Sequence, residues 1–420
     1  MFMNTLLERA KDMEAWAEKH FIDSNGVVYT MIDCATEAPL TDNFFEPEAE
    51  SFPMPGCTPA EFWNYENCGM TTGAYLQAMV CRYEATRDSG AMAQARRSYQ
   101  ALRHVYEMGK QLEEGFFPKI YGGRFSTQTS TDQVLYAVLA LDRYAAQATD
   151  DERRDIANMI GNMIRFWSKR DFKYNYYNVV NMQWKLARFP SLLLLAYRHT
   201  NDSVFRTECD RLLAQGVNRY PGEEQLRPKR AGERPLSDYE QQQGAWMISN
   251  MADCATMDVM ELDYLLRSDP DSEWVPTWRQ SMRQMWEEGA LTIAPDGKVY
   301  VNVLVDMKTG KPRPPDPILF DWLDAYGWSY VRYVSGAKSG WSSMIARAGV
   351  QAAPHVPDPK PVVAEARRIL TALDIKDLTY LEQPERLLPR HRFMTRFYSG
   401  DAMTNWLWSY WQGKISGFWE

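Results

Sequence analysis

Residues 66–87 read ENCGMTTGAYLQAMVCRYEATR, apolar or small around nearly the whole helical circumference. A helix with no polar face has no side to give to water, so it has to be surrounded by protein. Residues 91–110, AMAQARRSYQALRHVYEMGK, instead carry one apolar stripe and one basic face. That is the pattern of a helix covering a core on one side and meeting solvent on the other. The same couplet recurs in STDQVLYAVLALDRYA (130–145) before DERRDIANMIGNMIRFWSK (151–169), and in PSLLLLAYRH (190–199) before SVFRTECDRLLAQGVNRY (203–220). It returns in QQGAWMISNMADCATMDVMELDYLLR (242–267) before SEWVPTWRQSMRQMWEEG (272–289).

The junctions repeat as well. Each buried stretch ends on a Tyr followed by Thr or Ser and an Asp: Tyr83, Thr86, Asp88; Tyr144, Thr149, Asp150; Tyr197, Thr200, Asp202; Tyr264, Ser268, Asp269. The Asp residues are natural N-caps for the next helix, and spacings of 61, 53 and 67 residues between the tyrosines mark a helical-hairpin repeat. With LLERAKDMEAWAEKHF at the start, GWSSMIARAGV and KPVVAEARRILTAL later, and TNWLWSYWQG at the end, the count comes to about twelve helices, six of each kind. The expected fold is all-α, an (α/α)6 toroid of six helical hairpins in a single domain over residues 1–420, with the buried helices as its inner ring. Residues 291–312, LTIAPDGKVYVNVLVDMKTGKP, break the rhythm. Their β-branched alternation and the Asp296-Gly297 and Thr309-Gly310 turns predict a small β-hairpin insertion. Pro190 is expected to open or kink the third inner helix.

Composition excludes several classes. Hydrophobic residues are 45% and charged residues 24% of the 420, and no apolar run approaches the roughly 20 residues that span a bilayer, so no membrane is expected. A net charge of −8, without a long Lys/Arg run, leaves no footprint for nucleic acid. Six cysteines with no CxxC pair read as reduced or buried thiols. The start, MFMNTLLERAKDMEAW, takes on charge by its eighth residue and resembles no secretory signal, which reads as cytoplasmic. The five histidines, His20, His104, His199, His355 and His391, are scattered and make no metal-ligand pattern. There is no Gly-rich dinucleotide or phosphate loop, so no cofactor or metal is expected.

The unusual entry is aromatic, with 15 Trp, 23 Tyr and 17 Phe. In a toroid the loops leading into the inner helices cluster at one mouth, and here those loops are long and aromatic: DNFFEPEAESFPMPGCTPAEFWNYEN, GFFPKIYGGRFSTQTSTDQ, DFKYNYYNVVNMQWKLARF, PGEEQLRPKRAGERPLSDYEQQQGAW, PRPPDPILFDWLDAYGWSYVRY and LLPRHRFMTRFYSGDAMTNW. Flat rings interleaved with Asp, Glu, Asn, Gln, Lys and Arg suit a sugar pocket; the alternative is that they plug the central cavity. Trp63, Tyr65, Tyr121, Trp184, Tyr239, Trp246, Trp341 and Trp406 are the stacking candidates. Asn67, Gln133, Gln243 and Asn405 are candidates for hydrogen bonds to hydroxyls. Lys119, Arg124, Lys185 and Arg188 bring positive charge to the same mouth, and Arg124, Lys185 and Arg188 are the candidates for a sugar carboxylate.

Glu66 and Asp132 begin the first two inner helices, which places two acids on one rim. One protonated and one ionised carboxyl group is the equipment of glycoside chemistry; helix capping and the helix dipole favour the same residue types at the same places. Asp238, Glu240, Asp42, Glu46, Asp316, Asp321 and Asp401 are competing acids.

The string TTGAYLQAMVCRYEATRD (71–88), and TSTDQVLYAVLALDRYA (129–145) after it, resemble the six-hairpin glycosidase superfamily. Within it the chain is most similar to the unsaturated glucuronyl and rhamnogalacturonyl hydrolases. The resemblance implies that Asp132 protonates the C4–C5 double bond of an unsaturated uronic acid, after which water adds and the linkage collapses. It also implies a second acid at Glu66, where the family has Asp. The expected function is thus a glycoside hydrolase acting on oligosaccharides, plausibly uronic-acid-containing. The rivals are a polysaccharide lyase or sugar 2-epimerase on the same toroid, and a carbohydrate-binding protein without catalysis.

Overall fold

The computed structural model describes residues 5–47, 56–177, 179–217, 235–249, 251–300, 302–313, 339–387 and 389–419, without the side chains of 248, 249, 251–255, 302 and 386. Asp316 and Asp321 lie outside the described residues.

Along the chain the described helices run α1 (Leu6–His20), α2 (Pro59–Tyr65), α3 (Cys68–Thr86), α4 (Ser89–Gly109), α5 (Thr131–Ala145) and α6 (Asp150–Ser168). They continue with α7 (Phe189–Thr200), α8 (Ser203–Ala214), α9 (Asp238–Gln243), α10 (Met251–Ser268) and α11 (Val275–Ala290), and end with α12 (Ser339–Ala352), α13 (Pro359–Ala372) and α14 (Gly400–Ile415). Apart from the short α2 and α9, buried and one-sided helices alternate as the sequence predicts. Every residue of α3 from Cys68 to Cys81 is buried, and so is every residue of α12. In α4, by contrast, burial falls on Ala91, Ala95, Ser98, Tyr99, Leu102, Val105 and Tyr106, the spacing of one helical face.

The chain forms two compact units: Met1–Phe45 with Ser51–Val217 and Tyr398–Glu420, and Asn218–Phe397 with Glu46–Glu50. In the first, α3 packs between α14 and α5, with α4 behind α3, α6 against α5 and α7, α8 behind α7, and α1 against α14. The small residues of α3 set its closeness to α5. A Cβ on Gly73 would lie 2.7 Å from the Tyr136 carbonyl oxygen, so only glycine permits this approach of two backbones.

In the second unit α10 packs on α11 and α12, and α12 on α13. The insertion is here: Asn302–Asp306 pairs antiparallel with Pro312–Arg313 around Gly310. The same strand pairs on its other side with Ala245–Ser249, giving a three-stranded sheet where the sequence suggested a hairpin. The Asp296-Gly297 turn closes a separate bridge between Ile293 and Val299.

The caps follow local competition. Asp88 and Asp202 cap α4 and α8 as expected, each accepting a backbone N–H two residues on. Asp150 does not cap α6: Thr149 does, because Thr149 and Glu152 close a reciprocal capping box that moves the start one residue back. Asp269 is likewise not the cap of α11, which opens at Trp274 with Pro276 in its first turn. Pro190 stands in the first turn of α7, where its missing N–H costs nothing.

One buried carboxylate joins three helices of the first unit. Glu14 of α1 accepts from Trp411 Nε1 of α14 at 2.5 Å and pairs with Arg82 of α3 at 2.8 Å. Burial, opposed by the Arg82 charge, pushes its carboxyl from 4.5 up to about 7. Between those values the folded chain holds a proton that the unfolded chain has released. Stability therefore falls as pH rises through that window. Urea unfolding across it is expected to show that fall in the wild type and a flatter profile in Glu14→Gln; an unchanged profile would remove Glu14 as the cause.

Candidate active site

In the first unit, one side-chain network joins the N-terminal ends of four buried helices. Asp401, in the first turn of α14, accepts from Asn67 Nδ2 at 3.3 Å, and Asn67 is the residue from which α3 starts. Gln133 of α5 reaches across to the α2–α3 junction twice, accepting the Gly69 N–H at 3.1 Å and donating to the Glu66 carbonyl at 2.7 Å. A Cβ on Gly69 would stand 2.5 Å from Gln133 Oε1, so glycine is what leaves that N–H open to the amide. Next to Gln133, Asp132 pairs with Arg188, which opens α7 and also donates to Thr131 Oγ1 at 2.8 Å. The rim therefore runs from Asp401 through Asn67, Gln133 and Asp132 to Arg188.

Both candidate acids are ion-paired. Lys119 Nζ meets the Glu66 carboxylate, with the Glu66 carbonyl 3.3 Å away. The lysine side chain is 2% exposed and the glutamate 16%. Lys119 also lies over the Tyr176 ring, 5.8 Å from its centroid. Asp132 is the more open acid, at 35% exposed against 2% for Arg188. Its carboxylate is not a helix cap: Ser130 holds that position, without a side-chain cap bond, and Asp132 is the second residue of the helix.

Phenols crowd the Glu66 end. Tyr121 stacks on Phe62 and its hydroxyl lies 3.1 Å from that of Tyr177. Burial raises both phenols well above their ordinary value. The nearby Glu66 charge adds to the rise in each, and for Tyr177 the neighbouring Tyr176 and Tyr121 do too. Tyr177 stands at φ +50°, an uncommon backbone for a bulky residue, with its N–H held by Gln128 Oε1 at 3.0 Å.

The other predicted residues are placed as follows. Tyr65 is buried edge-on to Tyr29 and donates to Asp23 at 3.1 Å. Trp63 is buried edge-on to Phe62, and Trp184 packs against Trp167 and Tyr176. Trp406 is wholly buried and stacks on Tyr410, and Asn405, also buried, receives the Tyr136 hydroxyl at 3.5 Å. Arg124 is exposed and pairs with Glu61 at 2.6 Å, while Lys185 is half-buried just before Arg188.

Four lie in the second unit. Tyr239 is half-buried, Gln243 accepts from Arg313 at 2.9 Å, Trp246 joins the cluster of Ala294, Tyr300, Val303 and Val305, and Trp341 is buried in α12. Of the competing acids, Glu240 is buried and occupied, closing a capping box with Ser237 and accepting the Met247 N–H at 2.7 Å. Asp42 accepts the Ala60 N–H at 3.3 Å, Glu46 pairs with Arg396 at 3.2 Å, and Asp238 is exposed. Sequence reasoning missed Tyr177 near Glu66 and Tyr176 under Lys119. Their only signal was the aromatic run Tyr174-Asn175-Tyr176-Tyr177 in the third loop.

No protein-family model and no curated protein matches the sequence. Solved structures do match the fold. A sugar epimerase from a ruminal bacterium superposes with a TM-score of 0.59 at 11% identity, covering 99% of each chain. An unsaturated glucuronyl hydrolase specific for heparin gives 0.53 at 10% identity, covering 98% of each. A D-mannose isomerase gives 0.50 at 9% identity, covering 98% of this chain and 97% of that one. At such identities the likeness is one of architecture, and it spans practically the whole sequence. What the likeness shows is the fold, an (α/α)6 toroid of six helical hairpins with a small β insertion.

Proposed function

We propose that this protein is a carbohydrate-active enzyme, a glycoside hydrolase of uronic-acid-containing oligosaccharides, with Asp132 as its acid and base and Glu66 as the second carboxylate. The observation that carries the reading is the state of Asp132. Its carboxylate is free of any capping duty, anchored on a buried arginine, and the more exposed of two acids that Gln133 ties to one rim. Glu66, paired with the buried Lys119 ammonium, is the second carboxylate of the rim. Asp132 protonates the C4–C5 double bond of an unsaturated uronic acid, the resulting carboxylate takes a proton from water as the water adds, and the linkage collapses to release the leaving sugar.

The architecture is shared with epimerases and isomerases, so the alternative is an isomerisation. An epimerase is expected to place histidines at inner helix ends, and of the five only His391, which is buried, lies in a mouth loop; His199, in the last turn of α7, contacts Asp142, and His355, just beyond the C-terminal end of α12, contacts Asp263. The test is a screen of purified protein on lyase-generated unsaturated oligouronides, aryl glycosides and glycuronides, and free aldoses. Loss of the enol-ether ultraviolet absorbance is the expected result. Conversion of an aldose to its isomer with no sugar released would overturn the reading in favour of the epimerase.

A further inference from the structure

The Gly122-Gly123 turn serves a purpose beyond reversing the chain. Both glycines have positive φ, at +58° and +71°, and Tyr121 and Arg124 bridge across the turn by N–H to carbonyl bonds of 3.2 and 3.0 Å. The turn is docked on α2, with the Gly122 N–H on the Glu61 carbonyl at 3.2 Å and no room for a Cβ, which would meet Glu61 Cγ at 2.8 Å. It holds Arg124 over a cavity of about 240 Å3 whose walls include Cys57, Tyr121, Ser126, Thr127 and Gln128.

The donors there are in excess. Arg124 spends Nη2 on Glu61 Oε2 and the Gly56 carbonyl, and its Nε and Nη1 have no partner among the described residues. Gln128 uses its amide oxygen on the Tyr177 N–H and leaves its NH2 group open, as Thr127 leaves its hydroxyl. A guanidinium has five N–H donors and serves two oxyanions on different edges, so pairing with Glu61 does not exhaust it. The cavity is smaller than the about 300–1,000 Å3 of a whole-ligand pocket, a size for one sugar substituent with part of its ring. Tyr121 forms a wall of this cavity and also stands at the Glu66 end of the rim.

We infer that this cavity is an accessory subsite for an anionic group, a carboxylate or a sulfate, carried by the sugar next to the one that reacts, with Arg124 as its specificity-determining residue. The inference rests on the oligosaccharide reading of the rim. Cys57 provides a readout independent of turnover, because it is one of the residues lining the cavity. Cys34, half-buried like Cys57 and with its thiol likewise pushed up to about 12 by burial, is an internal control. Alkylation of both is followed by peptide mass spectrometry with methyl glucuronide, methyl glucoside 6-sulfate or neutral methyl glucoside present. Protection of Cys57 alone by the glucuronide identifies a carboxylate site, and by the sulfate ester a sulfate site. In Arg124→Gln the protecting concentration is expected to rise about ten-fold or more. Equal protection by the neutral glycoside, no protection at all, or protection undiminished in Arg124→Gln would overturn the subsite. Turnover of unsaturated oligouronides, measured separately, tells the failures apart: turnover without Cys57 protection defeats only the subsite, and protection without turnover defeats only the hydrolase reading.

Discussion

Asp132→Asn is expected to lower turnover by about 10²–10⁴-fold, the usual worth of a positioned acid and base. The substitution also strips Arg188, 2% exposed, of its charged partner, at about 1–3 kcal/mol of stability in urea unfolding. The two losses are separable with Asp142→Asn as a control. Asp142 lies on the same helix and has a side-chain partner too, His199 at 2.8 Å, but near the other end of α5. Asp142→Asn should lose stability and keep turnover. If Asp132→Asn did the same, Asp132 would be a structural ion-pair partner and the hydrolase reading would lose its acid.

Lys119→Met is expected to be the most destabilising single change at the site. It leaves the Glu66 carboxylate facing an apolar side chain in a place where its former partner is 2% exposed, and breaking such a pair from one side costs about 3–5 kcal/mol. Removing both charges should hurt less. The double variant Lys119→Met, Glu66→Gln is expected to cost about 1–3 kcal/mol less than the sum of the single costs, the range for residues in direct contact. Urea unfolding of the four proteins closes the cycle. Additive costs would mean that the two side chains do not act as a pair.

The helical rhythm was legible because it is local. A fully buried α3 and a one-sided α4 differ in which residues recur at each turn, and that difference is written in consecutive residues. Asp132 could be placed at a helix start for the same reason, whereas Glu66 falls at the end of α2, a short helix the rhythm did not show. Their partners could not be placed so. Lys119 is 53 residues from Glu66, and Arg188 is 56 from Asp132. Four basic residues in neighbouring loops looked alike in sequence, yet the structure sends Arg188 into a buried pair and Arg124 to an exposed one. The aromatic residues divide in the same way. Trp406 is sealed against Tyr410 inside its unit, whereas Tyr121 forms a cavity wall.

What the sequence by itself determined is the alternation of buried and half-exposed helices, the break at residues 291–312, and Asp132 in the first turn of α5; Glu66, expected to begin the first inner helix, instead ends the short α2 just before α3. Helix periodicity and turn chemistry depend on residues a few positions apart. Only the tertiary structure decided which cation meets which acid, that Gln133 ties Glu66 to Asp132, and that a strand before α10 completes the inserted sheet. Those outcomes depend on which helix starts share a rim and how far each side chain is desolvated there, quantities that exist only once distant segments are packed together.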